Sequence, residues 1–179
     1  MKIKVISWFF TAAISLVVMN GFAQEKGQKI NPGISKFAKS LGTWHSNFNS
    51  TTNGKTQVLD YTVVFSSVAD GNGVYMEETA KGPEAGTYHA GNIIGYDQYD
   101  KKLHWYTVDN TGVAHDHIVT WKGDNHYSFV HNGVRNGKKY SENLEGTFKG
   151  ENSMEIVYTA KLDGKVTEKS QGTFERTAK

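Results

Sequence analysis

The chain has 179 residues, with 20 basic and 18 acidic side chains, a formal net charge of +2 and no cysteine. That length suits one domain plus a leader. The absence of cysteine excludes disulfides and anchoring through an acylated N-terminal Cys, and the near-balance of charge argues against a nucleic-acid partner, which needs clustered positive charge.

Lys2 and Lys4 form a short positive region, and residues 5–19 are an apolar run broken only by Ser and Thr. Gly21 and Ala23 then supply a small-x-small site. Residues 1–23 read as a secretory signal peptide cut before Gln24. The competing reading is an uncleaved membrane anchor, since the run is near the length of a spanning helix. Cleavage would leave residues 24–179; with Lys2 and Lys4 gone, basic and acidic residues balance at 18 each. No later stretch is apolar enough to span a bilayer, so the mature chain is expected to be exported without membrane insertion, to the periplasm or the medium.

Residues 24–33 read as a polar, flexible leader ending at Pro32-Gly33. Residues 34–179 read as one domain. Ile34, Phe37, Ala38 and Leu41 fall at i, i+3, i+4 and i+7, which predicts a short amphipathic helix. Gly42 is expected to cap its C-terminus. Trp44 then opens the first strand. A Gly-x-Trp in that place suits a small β-barrel: Gly42 permits close backbone approach and Trp44 plugs one end. Arg176, one of two arginines, lies in the last strand and is expected to stack on the Trp44 face.

From Trp44 on, turn signals recur: Asn53-Gly54, residues 70–73, residues 109–112, Gly123-Asp124-Asn125, Asn132-Gly133, Asn136-Gly137, Gly150-Glu151-Asn152 and Asp163-Gly164. Between them lie ten segments rich in β-branched and aromatic residues, at about 43–50, 56–67, 73–80, 87–96, 102–109, 113–121, 125–131, 138–148, 153–161 and 166–176. Strands joined in sequence order expose edges unless the sheet closes. The reading is therefore all-β: an up-and-down antiparallel barrel of about ten strands, closed by the short helix. A two-sheet sandwich is the alternative. Gly-Thr-aromatic recurs at residues 42–44, 146–148 and 172–174, which we read as a local device for bending a strand.

Leu41-Gly42-Thr43-Trp44 after a short helix, ten β segments and Arg176 near the end resemble the calycin superfamily, the lipocalins and fatty-acid-binding proteins. Ile94-Gly95-Tyr96-Asp97 and Trp121-Lys122-Gly123-Asp124 are similar to motifs of a bacterial secreted family of unknown function with a lipocalin-like barrel. The resemblance covers most of residues 36–178. It implies the barrel and brings no established catalytic residues. The cysteine pair of many lipocalins is absent.

Six of the seven histidines fall between His89 and His131. If residues 109–112 and 122–125 form the loops, one strand face holds His104, Tyr106, His115, His117 and His126. The other then holds Trp105, Asp116, Ile118, Phe129 and His131. A slip of one residue would exchange the faces. On this reading His104, His115 and His117 are candidate metal ligands, a single histidine could hold a haem, and Asp116 with His131 is a candidate acid–base pair for a lyase or isomerase. Adjacent Glu77 and Glu78 point to opposite faces and cannot form a carboxylate dyad. No nucleophile elbow, phosphate loop, HExxH or CxxC occurs. The reading that leads is a binding module, not an enzyme, with no cofactor. Its barrel takes a small, partly apolar ligand against Trp105, Tyr106, Tyr127 and Phe129.

Overall fold

The computed structural model describes residues 29–83 and 86–178. The proposed signal peptide lies outside them. A helix α1 (Pro32–Lys36) runs into a 3-10 turn (Phe37–Ser40). Ten strands follow: β1 (Gly42–Thr52), β2 (Lys55–Val68), β3 (Gly73–Gly82), β4 (Gly86–Asp97), β5 (Lys102–Asp109), β6 (Ala114–Trp121), β7 (His126–Arg135), β8 (Lys138–Phe148), β9 (Ser153–Leu162) and β10 (Lys165–Ala178). Each pairs with its neighbour in sequence, and β10 pairs with β1, so the sheet is a closed antiparallel up-and-down barrel. No helix among the described residues is long and apolar enough to cross a membrane.

The helix begins earlier than its apolar spacing predicts. Pro32 sits in its first turn, where a missing N–H costs nothing, and the Asn31 side chain accepts from Gly33 N at 2.8 Å. Gly42 is the first residue of β1, not a helix cap. Its φ of +115° opens a bulge, across which Thr43 pairs with Ala178 and Trp44 with Arg176. The bulge turns Trp44 into the barrel end. There it is fully buried, and its Nε1 donates to Ser40 O at 2.6 Å. The Arg176 guanidinium lies 4.1 Å from the centre of the Trp44 ring. Arg176 also donates to the carbonyls of Lys39, Leu41 and Glu151. Beside them Ile34 and Phe37 push in from the helix, with Phe37 against Trp121 and Tyr127 at 4.8 and 5.2 Å between ring centres. These groups plug one end, and the other end is open.

The Gly-Thr-aromatic echo has a steric explanation at two of its three positions. Gly146 faces Tyr127 on β7, and Gly172 lies against Phe48 and Ser46 on β1. Each glycine vacates the space that a side chain of the next strand fills. Asn132-Gly133 is not a turn. β7 continues through it to Asn136-Gly137, and Gly133 lies under the His131 ring.

Candidate functional site

Two loops decide which side chains face inward. Asp109 N donates to Val113 O, and the Asp109 carboxylate accepts from Thr111 N, Thr111 Oγ1 and Val113 N at 2.8, 2.7 and 3.1 Å. This closes the β5–β6 loop over residues 110–112, so Val108 pairs with Ala114 and Trp105 with His117. Lys122 N likewise donates to His126 O, and Trp121 pairs with Tyr127. Both loops are one residue tighter than the four-residue loops expected from sequence, and each slip flips a strand.

The predicted grouping is therefore corrected. His115 and His117 face inward together with Trp105, Phe129 and His131. His104, Tyr106, Asp116 and His126 face outward. Trp105, Tyr127 and Phe129 line the interior, whereas Tyr106 is 47% exposed on the outer wall. His104 cannot join a metal site with His115 and His117. Its Nδ1 meets the Asp116 carboxylate at 2.9 Å and its Nε2 meets Asp100 at 3.0 Å. Asp116 and His131 do not pair through their side chains: His131 Nδ1 donates to the Asp116 backbone carbonyl at 2.9 Å, and the carboxylate lies on the other face. Glu77 is exposed and Glu78 faces in, as their alternation requires.

Inside the barrel is a cavity of about 430 Å³. Its apolar wall is Phe65, Trp105, Tyr127 and Phe129. Two polar clusters interrupt it. In the first, Glu142 Oε2 lies 2.8 Å from His117 Nε2 and 3.1 Å from His115 Nδ1, while Tyr140 donates to Oε1. His117 Nδ1 lies 3.0 Å from Trp105 O. A carbonyl only accepts, so Nδ1 carries a proton and a second proton must lie between Nε2 and Glu142. His131 stacks on His115 at 4.1 Å, nearly parallel. Burial pushes the Glu142 carboxyl up, but the hydrogen bonds from His117 and Tyr140 and the field and hydrogen bond of His115 outweigh it and hold it at about 2.

The second cluster centres on Glu78. Its carboxyl accepts from Tyr61 and from Asn92 Nδ2, the latter at 2.7 Å. Asn92 Oδ1 in turn accepts from Trp105 Nε1 at 2.9 Å and from Thr107. Here burial wins over the hydrogen bonds, and the Glu78 carboxyl is raised above the usual range. A carboxyl raised in the folded state adds no penalty below its unfolded pKa. As pH rises the unfolded chain ionises first, so stability falls until the folded pKa is passed. Glu78→Gln is therefore expected to melt above the parent at pH 7 and level with it at pH 4. Thermal scans at both pH values check this, and an equal shift at both would remove the titration as its cause.

Sequence reasoning missed Glu142, Tyr140, Glu78 and Asn92. The available signal was parity. On β8, Tyr140, Glu142 and Leu144 alternate on one face, so a carboxylate sits among apolar residues. The wall itself is interrupted beside this cluster. The β6–β7 ladder runs from Trp121 and Tyr127 to Ile118 and Val130 and stops, although both strands continue. The His131 ring bonds across the gap to Asp116 O.

No protein-family model matches the chain. No curated protein matches it either. Among solved structures it is similar to the S-type phycobiliprotein lyase CPES from Guillardia theta, with a TM-score of 0.53 and 15% identity over 79% of this chain and 90% of that one. The two share a fold. A de novo designed fluorescence-activating β-barrel aligns with a TM-score of 0.39 and 12% identity over 76% of this chain and 93% of that one.

Proposed function

We propose that this barrel is an exported protein that binds a small, partly apolar molecule in its interior. The observation that carries the reading is the cavity of about 430 Å³, with an aromatic wall and a few convergent polar groups. Charge narrows the guest. Glu78, Glu142 and Glu168 line the cavity with Arg135 near the mouth, so an anionic guest would meet mostly acids and a neutral or basic one is favoured. The calycin resemblance supports a carrier of this kind. The export part of the reading rests on the charged, apolar and small-residue pattern of residues 1–23.

Trp105 is the guest contact we assign first, with Phe129 and Tyr127 beside it. Nile red, a neutral apolar dye, tests this. Saturable binding of one dye per chain is expected, with Trp105→Phe raising the Kd at least threefold while circular dichroism is unchanged. Leu144→Trp, which adds bulk to the cavity lining, should weaken binding further. Binding that ignores both variants would place the dye outside the barrel. Native mass spectrometry of the chain from its own cells reads the rest. A mass for residues 24–179 supports export, and a co-purifying small mass gives the guest.

A second reading is acid–base chemistry on a bound molecule. It is favoured by the proton held between His117 and Glu142 at the cavity wall. A barrel of the same fold is named a phycobiliprotein lyase. On this reading Glu142→Gln removes turnover of the co-purified molecule and leaves its binding intact.

A further inference from the structure

We propose that His115, His117 and Glu142 form a binding site for a divalent first-row transition metal on the inner wall, with one coordination position open to the cavity. The site goes beyond guest binding and stands whether or not an organic molecule fills the barrel.

Three observations converge. One donor atom from each residue lies within 4.8 Å of the other two. Glu142 Oε2 stands 2.8 Å from His117 Nε2 and 3.1 Å from His115 Nδ1. Ligands about 2.0–2.1 Å from a tetrahedral ion stand about 3.3 Å apart, so the two Glu142 contacts need to widen by a few tenths of an ångström and the two histidine donors, within 4.8 Å of each other, need to settle at the same separation. The donor set, two imidazoles and a carboxylate, is one of those that leave a fourth position for water or substrate on zinc.

The surroundings orient these donors as metal ligands are oriented. His117 Nδ1 donates to the Trp105 carbonyl, which directs the Nε2 lone pair at the site. Tyr140 holds the second oxygen of Glu142, leaving Oε2 for the ion. His131 stacks on His115 and fixes its ring plane. A bound cation replaces the proton now shared by His117 and Glu142, so the contact needs a positive species in either state. The cavity supplies room on the fourth side, and all three residues line it.

A second cluster, Asp97, Asp100 and His104, lies on the outer wall and provides the internal control. The experiment titrates the chelator-treated full chain with Co²⁺ alone and reads the visible absorption bands, then displaces Co²⁺ with Zn²⁺. The expected result is saturable binding of one ion per chain. His117→Ala and Glu142→Gln each weaken it at least tenfold, and His104→Gln leaves it unchanged. Should His117→Ala fail to fold, His115→Gln carries the same expectation. Non-saturable binding, or binding that survives both Glu142→Gln and His115→Gln, overturns the proposal. Loss of binding in His104→Gln alone also overturns it, because the ion then sits on the outer wall.

Discussion

Trp44→Ala is expected to lower the unfolding free energy by about 3–5 kcal/mol, the range for removing a fully buried Trp. Trp44 is wholly inaccessible, and its loss has three parts. The indole leaves a void at the plugged end, beside Phe148. The Ser40 carbonyl loses its donor in a buried setting. Arg176 loses the ring under its guanidinium. Urea denaturation of the protein measures the sum. Trp44→Phe should recover part of it by refilling the void, without restoring the bond to Ser40. Arg176→Met should cost less than Trp44→Ala, since it leaves the void unopened. A Trp44→Ala loss below about 0.5 kcal/mol, the scale of an ordinary surface change, would mean that the helix and not Trp44 seals this end.

The second large effect is expected from one methyl group. A Cβ on Gly146 would lie 2.3 Å from Tyr127 Cζ and 2.5 Å from Cε1. Tyr127 has little freedom to retreat. It is 1% exposed, wedged among Phe37, Trp121 and Phe148, with its hydroxyl on Met154 Sδ at 3.7 Å. Gly146→Ala should therefore destabilise by about 1–3 kcal/mol, as overpacked cores do. The loss should shrink in a Tyr127→Leu background, because the obstructing ring is gone. Equal losses in both backgrounds would show that β8 itself, and not the ring, resists the substitution.

The fold was legible where the chain states its geometry locally. Asn-Gly and Asp-Gly pairs mark hairpins, and ten strands in sequence order leave closure as the economical solution. The plugged end was legible because Trp44 and Arg176 are rare residues in telling places, with Gly42 two residues before the first. The site was half legible. His115 and His117 share a face on any register, but what they share it with depends on loops of three or four residues. The Asp109 carboxylate decides the first loop by capping it from inside, and an Asp at that place looks the same in either register. Hence the four-residue loops place Trp105, Phe129 and His131 on the face opposite His115 and His117, and His104 and Tyr106 on the same face as them. Glu142 left only the parity of β8 as a mark. A lone acid on a strand reads as a solvated residue until two histidines are found beside it.

The bulge at Trp44 pairs the start of β1 with the end of β10, so Thr43 and Ala178 are neighbours at the plugged end. Lys29 leads into the helix on that same end. The described chain therefore enters and leaves the barrel at one pole, and the mouth opens at the opposite pole. A surface that grips the barrel at that pole holds it by its base, with the cavity presented to the solution.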